Sequence, residues 1–305
     1  MKKSMRKMYI TFLSPIIILF LVIQLYPTLQ SFYLSFFKVP GLSSNQNQWS
    51  FVGFNNFKEL FSRQLFIISV QNVTVIMFLG GIVVFTFALF FAWVLHRGMI
   101  ISKFWKHMIY LPSVITPIAM VVVWTQYAFN NQYGLLKTVF DAIGLHQLAA
   151  IPWTSTSYSF WAMFIAYCFG SVGGQLIIYI AAMGSIPKDL FEAAYMDGAR
   201  ESHTFFRITL PLIRDAIKTQ IIFWGLGCVN FFLWSRVFSV NTIDPATVAP
   251  ANYMYDLIFG SASANTVTPD PNVGLGTAVG ICLCLASIIL FAVVNLLFGK
   301  EKYEY

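Results

Sequence analysis

The sequence predicts an all-α, polytopic membrane protein with about six transmembrane helices, and two observations lead to this fold class. First, 58% of the 305 residues are hydrophobic and only 10% are charged, with a mean hydropathy of +0.70. A soluble domain has about 25% charged residues, so this chain has too few charges to cover a water-facing surface. Second, the apolar residues are concentrated in long charge-free runs, which is typical of membrane-spanning segments.

Six charge-free runs each have room for one spanning helix, which needs about 20 mostly apolar residues, with a range of about 17–25. In the fourth run, Gly144, Pro152 and the polar cluster at 154–159 predict a loop, so that only about 158–182 should span. The fifth run is the shortest and is just long enough. The runs cover residues 8–37, 64–96, 107–136, 142–187, 219–235 and 271–299.

The spans are predicted to be helices rather than strands of a membrane barrel. Residues 16–23, for example, are apolar at every position, whereas a barrel strand alternates over about ten residues. The first seven residues carry four basic groups ahead of an apolar run, as a secretory signal does. Because this run is long and no small-residue cleavage site follows it, we expect it to remain as the first spanning helix.

The distribution of Lys and Arg predicts the orientation. With the N-terminus in the cytoplasm, the inner segments hold 14 of the 19 basic residues and the outer loops hold five. Cytoplasmic loops of membrane proteins carry the excess of Lys and Arg, so both termini are predicted to be cytoplasmic. This asymmetry also explains the net charge of +7 without a nucleic-acid partner. The inner segments are 1–7, 97–106, 188–218 and 300–305, and the outer loops are about 34–63, 130–157 and 236–270.

Neither a metal site nor a nucleotide site of its own is predicted for this chain. The four histidines are scattered without metal-ligand spacing. No Gly-x-x-x-x-Gly-Lys-[Ser/Thr] run is present to cradle nucleotide phosphates. The cysteines have neither disulfide nor zinc spacing and are expected to be small core-filling thiols. They are Cys168, Cys228, Cys282 and Cys284.

The segment 188–218 is the most polar part of the chain, with 10 of the 31 charged residues. Pro187 suits a helix start and Gly198 suits a helix stop in the left-handed conformation. We expect Ser202 to cap a second short helix and Pro211 to end it. One face of the first helix carries residues spaced by three and four, namely Leu190, Ala193, Ala194 and Asp197.

The same segment contains the pattern Glu-Ala-Ala, three residues, Gly, nine residues, Ile-x-Leu-Pro. Its residues are Glu192, Ala193, Ala194, Gly198, Ile208, Leu210 and Pro211. The pattern resembles the EAA motif of the membrane subunits of ABC importers and matches it at every defined position. The neighbouring residues 186–191 and 197–199 are similar to the carbohydrate-uptake branch. Residues 51–60 and 111–136 are also similar to these permeases, so the likeness covers nearly the whole chain and is to the first permease of a pair.

The resemblance implies a single permease domain over 1–305 with the type I ABC importer fold, in which 188–214 is a cytoplasmic coupling loop. It implies a multi-pass protein of the bacterial inner or plasma membrane, surrounded by lipid and without nucleic acid. Its partners would be a second permease, two ATPase subunits and an extracellular or periplasmic solute-binding protein. The chain itself would have no catalytic residue, metal or cofactor, because ATP and Mg are bound by the ATPase subunits.

The resemblance also implies how the loop works. It would insert into a groove on an ATPase subunit, where small residues permit a close backbone approach and Glu192 pairs with a basic group. The coupling residues would be Glu192, Ala193, Ala194, Asp197, Gly198, Ile208, Leu210 and Pro211.

The implied solute is a carbohydrate, most simply an oligosaccharide. Sugar sites use aromatic faces together with amides or hydroxyls, and several such residues lie in or beside the spans. Hydrogen bonds between helices or an interfacial aromatic belt are the alternative role for each of them. The candidates are Trp124, Gln126, Tyr127, Gln175, Asn230 and Trp234.

Three other interpretations stay open. An ion-coupled secondary transporter commonly uses charged side chains within its spans, and the six runs contain no Asp, Glu, Lys or Arg. A membrane enzyme needs a catalytic cluster near the membrane face, and the only dense polar cluster is the 188–218 segment. Within the family, the alternative is a permease for another polar solute such as a glycerol-phosphate-like compound, which should require a buried Arg or Lys.

Overall fold

Helices make up nearly all of the computed structural model, which describes residues 2–98, 101–238, 244–260 and 271–299. Within these ranges the only strands are β1 (Phe37–Lys38) and β2 (Ser50–Phe51), which pair antiparallel. Up to residue 98 the helices are α1 (Lys2–Leu19), α2 (Tyr26–Leu34), α3 (Asn55–Ser62), α4 (Gln64–Val75) and α5 (Gly81–His96), with a short 3₁₀ turn at Gln46–Gln48.

The remaining helices follow in two groups. Residues 101–238 contain α6 (Ser102–Val114), α7 (Pro117–Val123), α8 (Leu135–Ala142), α9 (His146–Ala149), α10 (Ser159–Gly184), α11 (Lys188–Met196), α12 (Glu201–Thr204), α13 (Leu210–Leu212), α14 (Arg214–Val229) and α15 (Leu233–Phe238). The last described segments contain α16 (Pro250–Phe259) and α17 (Val273–Phe298). Single π-helical turns lie at Phe20–Leu25, Ile76–Gly80, Trp124–Ala128 and Phe205–Thr209.

The all-α membrane fold is confirmed by the length and composition of these helices. The predicted loop at the start of the fourth run is also confirmed, because α10 begins only at Ser159. In the described residues, four helical segments are long and apolar enough to cross a membrane: Ile10–Leu34, Gln64–His96, Ser159–Gly184 and Val273–Phe298. The helices Ser102–Val114 and Pro117–Ala128 are together long and apolar enough for a fifth span, but the chain bends by 99° between them.

The third predicted span, 107–136, differs from a straight helix because of one proline. After α6, Ile115 and Thr116 are extended, and Pro117 begins α7 with the Thr116 hydroxyl as its N-cap. Proline has no N–H to donate and pushes the preceding residue out of the helical region. The chain therefore turns sharply at this point.

The fifth predicted span, 219–235, is divided between two helices; about six spans are expected from the sequence, and in the described residues four helices and one bent pair are long and apolar enough to cross a membrane. α14 ends at Val229, and Asn230 donates through Nδ2 to the Leu226 carbonyl oxygen at 3.0 Å. Such local side-chain bonds compete with continuation of a helix. With 16 residues, α14 is about 24 Å long, which is shorter than the hydrocarbon core of about 30 Å.

The described residues group into two compact units, one with residues up to 67 together with 253–285, the other with 68–252 and residues from 286 onward. In the first unit, the buried Asn56 donates through Nδ2 to the carbonyl oxygens of Ser35 at 2.7 Å and Phe37 at 2.9 Å. These bonds join α3 to β1. In the second unit, α10 packs along both α5 and α6 and carries the largest share of the buried residues.

A close helix crossing holds α10 against α6 in the second unit. A Cβ atom added to Gly173 would lie 2.7 Å from Tyr110 Cα and closer still to the Ile109 carbonyl oxygen and the Ser113 hydroxyl. Only a residue without a side chain fits there, as is common where spanning helices approach closely. The adjacent Gly174 has nothing within 4 Å of the same added atom.

We expect Gly173→Ala to destabilise the folded chain by about 1–3 kcal/mol, because α6 and α10 must separate to admit the methyl group. Gly174→Ala is the matched control, since both changes bring the same gain in helix propensity and only one meets a neighbour. Thermal unfolding of both purified variants in one detergent measures the difference. Equal midpoints for the two variants would contradict the close packing.

Candidate functional site

The EAA loop (residues 188–214) begins with a helix that has a defined stop. α11 starts after Pro187 and Gly198 ends it with φ at +77°, as predicted. The Gly198 N–H donates to the Tyr195 carbonyl oxygen at 3.0 Å, and the Ala199 N–H donates to that of Ala194 at 2.9 Å. These two bonds form a Schellman motif, which needs a left-handed residue and therefore favours glycine.

The second half of the EAA loop differs from the prediction at two positions. α12 begins at Glu201, one residue before Ser202, so Ser202 is not its N-cap. Pro211 does not end the helix either, because the π-helical turn at Phe205–Thr209 continues into α13. The wider turn relieves the clash that a proline ring makes with the carbonyl group four residues earlier, so the chain stays helical through Pro211.

Two phenylalanines anchor the EAA loop to the helices behind it. Phe191 of α11 and Phe205 of the π-helical turn pack against a buried apolar cluster. A shift of α11 must therefore disturb the ends of α5 and α10. The cluster consists of Ala88, Ala92, Leu95, Leu176, Tyr179, Met183, Ile186 and Ile213.

A polar contact lies beside these anchors. Arg97, directly after α5, forms an ion pair with Glu201 and lies over the ring of Trp93, 5.3 Å from its centroid. Trp93 in turn packs against Phe205, with 5.1 Å between the ring centroids. None of these residues stands out in the sequence, although Trp93 and Arg97 have the spacing of four that places two side chains on one helix face.

The residues of the EAA motif divide into an exposed and a half-buried group. Beside the exposed group, the Met196 side chain is 88% exposed and Tyr195 is 47% exposed. Large apolar side chains next to small residues form a surface suited to contact with another protein. Exposed are Glu192, Ala193, Asp197 and Gly198, and half-buried are Ala194, Ile208, Leu210 and Pro211.

A cavity of about 330 Å³, the inner cavity, lies between the α6–α7 bend, α10 and the α14–α15 break. It brings together Gln175 and Trp234, two of the six predicted solute-path residues. Tyr167, Ser171 and Phe223 also line it, and none of its described lining residues is charged. Aromatic faces with a few neutral polar groups suit an uncharged polar ligand.

Gln220 fixes the position of Gln175 at the inner cavity. Gln220 is only 3% exposed, and its Nε2 donates to Oε1 of Gln175. A buried amide without a partner is costly, so the two side chains hold one another in place. Gln220 lies near the start of the fifth apolar run, and an amide inside such a run is the signal that identifies it.

The other four predicted solute-path residues lie elsewhere. Gln126 lines a second cavity, described below. Trp124 packs against Phe129, with 5.0 Å between ring centroids, and belongs to an aromatic cluster. Tyr127 is 66% exposed, and the Asn230 side chain caps the end of α14. In the described part of the chain, no group of three or more His, Cys, Asp or Glu residues is placed to hold a metal ion.

Apolar helices long enough to cross a membrane, an exposed loop and a cavity without charge in its described wall are typical of a membrane transport subunit. No family model matches the chain. It is 30% identical over 252 residues to the probable ABC transporter permease protein YesP of Bacillus subtilis, covering 81% of this chain and 79% of YesP. The chain belongs to the ABC transporter permeases.

Two further similarities agree with this assignment. The chain is 27% identical over 262 residues to the diacetylchitobiose uptake system permease protein NgcF of Streptomyces coelicolor, covering 82% of this chain and 73% of NgcF. Its fold matches a chain of a bacterial alginate ABC transporter, solved in complex with an alginate pentasaccharide-bound periplasmic protein. The TM-score is 0.79 at 21% identity, over 97% of this chain and 96% of that chain. The predicted permease fold and the resemblance to carbohydrate-uptake permeases are confirmed.

We expect Gly198→Ala to loosen the end of α11, because a side chain in the left-handed region costs about 1–2 kcal/mol. Gly198→Asn should loosen it less, since Asn tolerates this conformation. Hydrogen–deuterium exchange of amides 193–200 measures the effect. Gly184→Ala, where nothing lies within 4 Å of the added Cβ, is the control and should leave this exchange unchanged. Equal exchange in all variants would rule out the strain.

Proposed function

We propose that the chain is a membrane subunit of an ATP-driven importer that carries a neutral oligosaccharide into a bacterial cell. The observation that carries this proposal is a cavity whose described lining residues are all uncharged, with Gln175 and Trp234 in its wall, in a member of the permease family. NgcF belongs by its name to a diacetylchitobiose uptake system, and the transporter that shares the fold imports alginate, an acidic polysaccharide. These two proteins support a saccharide as the solute, and its neutral charge is inferred from the cavity alone. Saccharides are bound by aromatic faces and by amides and hydroxyls, which this cavity offers.

A charged solute fits the inner cavity less well. A glycerol-phosphate-like anion would need a Lys or Arg in the wall, and the described lining residues include neither. Gln175, held by Gln220, and the rings of Tyr167 and Trp234 instead form a neutral wall. We place the solute path along this wall. Contact of the solute with Trp124, Tyr127 or Asn230 stays a prediction from the sequence.

The EAA loop is proposed to couple the permease to ATP hydrolysis on a partner. Glu192, Ala193 and Gly198 are exposed, so they can enter a groove on an ATPase subunit. Phe191 and Phe205 would pass the displacement on to α5 and α10 through the buried cluster. ATP and Mg²⁺ would bind to the ATPase subunits, because this chain has no P-loop.

The remaining parts of the proposal concern assembly and location. The chain would act as one permease domain over its full length, paired with a second permease and two ATPase subunits. A solute-binding protein would dock on the outer side, which is supported by the periplasmic protein in the complex that shares the fold. The membrane would be the bacterial inner or plasma membrane, with both termini in the cytoplasm, as the distribution of 14 and five basic residues favours.

We expect Glu192→Lys to abolish the stimulation of ATP hydrolysis by the liganded binding protein in the reconstituted importer, because it places a cation where the ATPase offers a basic group. Asp189→Lys makes the same charge change on the same helix, outside the motif, and should retain most of the stimulation. The amount of each variant in the membrane serves as the folding control. Full stimulation with Glu192→Lys would remove this role from the loop.

We expect uptake of radiolabelled maltotetraose, arabinotetraose or chitotetraose to depend on this chain. For the dependent sugar, Gln175→Ala should lower uptake about two- to tenfold, because one buried hydrogen bond contributes about 0.5–1.5 kcal/mol. Gln147→Ala removes an exposed amide outside the inner cavity and should have no effect. If none of the sugars depends on the chain while an amino acid, a peptide or an anion does, the substrate proposal is wrong.

A further inference from the structure

A second cavity in the same unit, of about 530 Å³, has a different lining from the inner cavity. We call it the outer cavity, because on the proposed orientation its walls include the loop that joins α7 to α10 outside the membrane. Its wall is mainly polar and includes the side chains of Gln126, Asn131, Gln132, Tyr133 and Asp244.

Two stretches of chain each contribute residues to the walls of both the inner and the outer cavity. On α15, Trp234 lines the inner cavity and Phe238, four residues later, lines the outer one. Residues four apart lie on one face of a helix, one above the other. On the stretch that begins with α7, Pro117 lines the inner cavity and Gln126 lines the outer one. The two cavities are therefore lined by side chains one helical turn apart on α15.

Three amide side chains in the outer cavity are available to a ligand. Those of Gln126, Asn131 and Gln132 form no hydrogen bond with another residue in the described part of the chain. Each carboxamide offers two donor hydrogens and an acceptor oxygen, which is the pattern that pairs with sugar hydroxyls. Together with the neighbouring phenol of Tyr133, they make a wall that suits a neutral polyhydroxy compound.

Asp244 is the one charged side chain among the described residues of this wall. Its carboxylate is fixed in place, with Oδ2 accepting from the Ser159 hydroxyl at 2.9 Å and Oδ1 accepting from the Ala246 N–H at 2.9 Å. The described wall contains no Lys or Arg; Lys137, which is outside the wall, donates through Nζ to the backbone carbonyl oxygen of Asn131 at 3.1 Å. An acidic ligand would therefore bring a second negative charge into the cavity, and like charges at short range repel.

We propose that the outer cavity is a separate binding subsite for a neutral saccharide, occupied before the solute reaches Gln175, and that Asp244 makes it reject acidic saccharides. The inference rests on the proposed function, since it names a second site on the same solute path. The subsite would discriminate between neutral and acidic saccharides before the solute reaches the inner cavity.

Protection of a single cysteine from labelling tests the subsite. The whole importer is prepared in right-side-out membrane vesicles washed free of soluble binding protein, with the four native cysteines replaced by alanine. Gln132→Cys is then labelled with a membrane-impermeant maleimide, with and without each probe. The neutral probe is whichever of maltotetraose, arabinotetraose and chitotetraose depends on this chain for uptake, and the acidic probe is tetragalacturonate.

The neutral probe should slow labelling of Gln132→Cys about threefold at twice its dissociation constant, because labelling follows the unoccupied fraction. Gln147→Cys, an exposed position of α9 outside the cavity, should be labelled at the same rate with and without each probe. Ser202→Cys in the EAA loop should label only after permeabilisation, which checks the orientation. Tetragalacturonate should protect Gln132→Cys only when Asp244→Asn is added.

The outcomes separate the subsite from the proposed function. An unchanged labelling rate at Gln132→Cys with the imported sugar, or equal slowing at Gln147→Cys, overturns the subsite while the importer assignment stands. Protection by tetragalacturonate without Asp244→Asn overturns the rejection of acidic saccharides. If uptake of an amino acid, a peptide or an anion depends on the chain while uptake of the neutral probes does not, the proposed function fails in that measurement and the subsite fails with it.

Discussion

A backbone N–H or C=O group inside a bilayer must find its partner within the protein, and the rest of this structure depends on that constraint. α10 and α17 meet it with 26 continuous helical residues each. The two predicted spans that break, before Pro117 and after Val229, both have residues in the wall of the inner cavity. Irregular backbone is tolerated at membrane depth where it is buried in protein or lines a cavity. The helix breaks and the inner cavity therefore belong together.

The parts of the fold that could be predicted from the sequence are those that depend on local signals. The apolar runs and the stop at Gly198 depend on hydropathy and on local backbone conformation, and both are readable from short stretches. The breaks at Thr116 and Asn230 were not predicted, because the absence of charges shows only that a segment can enter lipid. It does not show where a helix within that segment ends. Pro117 and Asn230 were visible signals, but hydropathy alone gave them no weight.

The candidate site was predictable to a smaller extent for a different reason. The EAA motif is a local pattern, so its residues could be named in advance. Other residues of the site are recognised only through partners that are distant in sequence. Gln220 forms a hydrogen bond with Gln175, and Arg97 forms an ion pair with Glu201 of the EAA loop. Pro211 shows the reverse case, where a local rule failed because a π-helical turn absorbed the proline.

α10 connects the three places to which the proposed function assigns roles. Its first residue, Ser159, lines the outer cavity, Gln175 lines the inner cavity, and Met183 lies in the cluster that holds Phe191 and Phe205 of the EAA loop. Gly173 keeps this helix in close contact with α6, whose Ile109 packs against the same cluster. A displacement that Phe191 and Phe205 pass to α10 through this cluster would reach both cavities if the helix moves as a rigid element. The proposed coupling therefore requires only that α10 shift as one body against its neighbours.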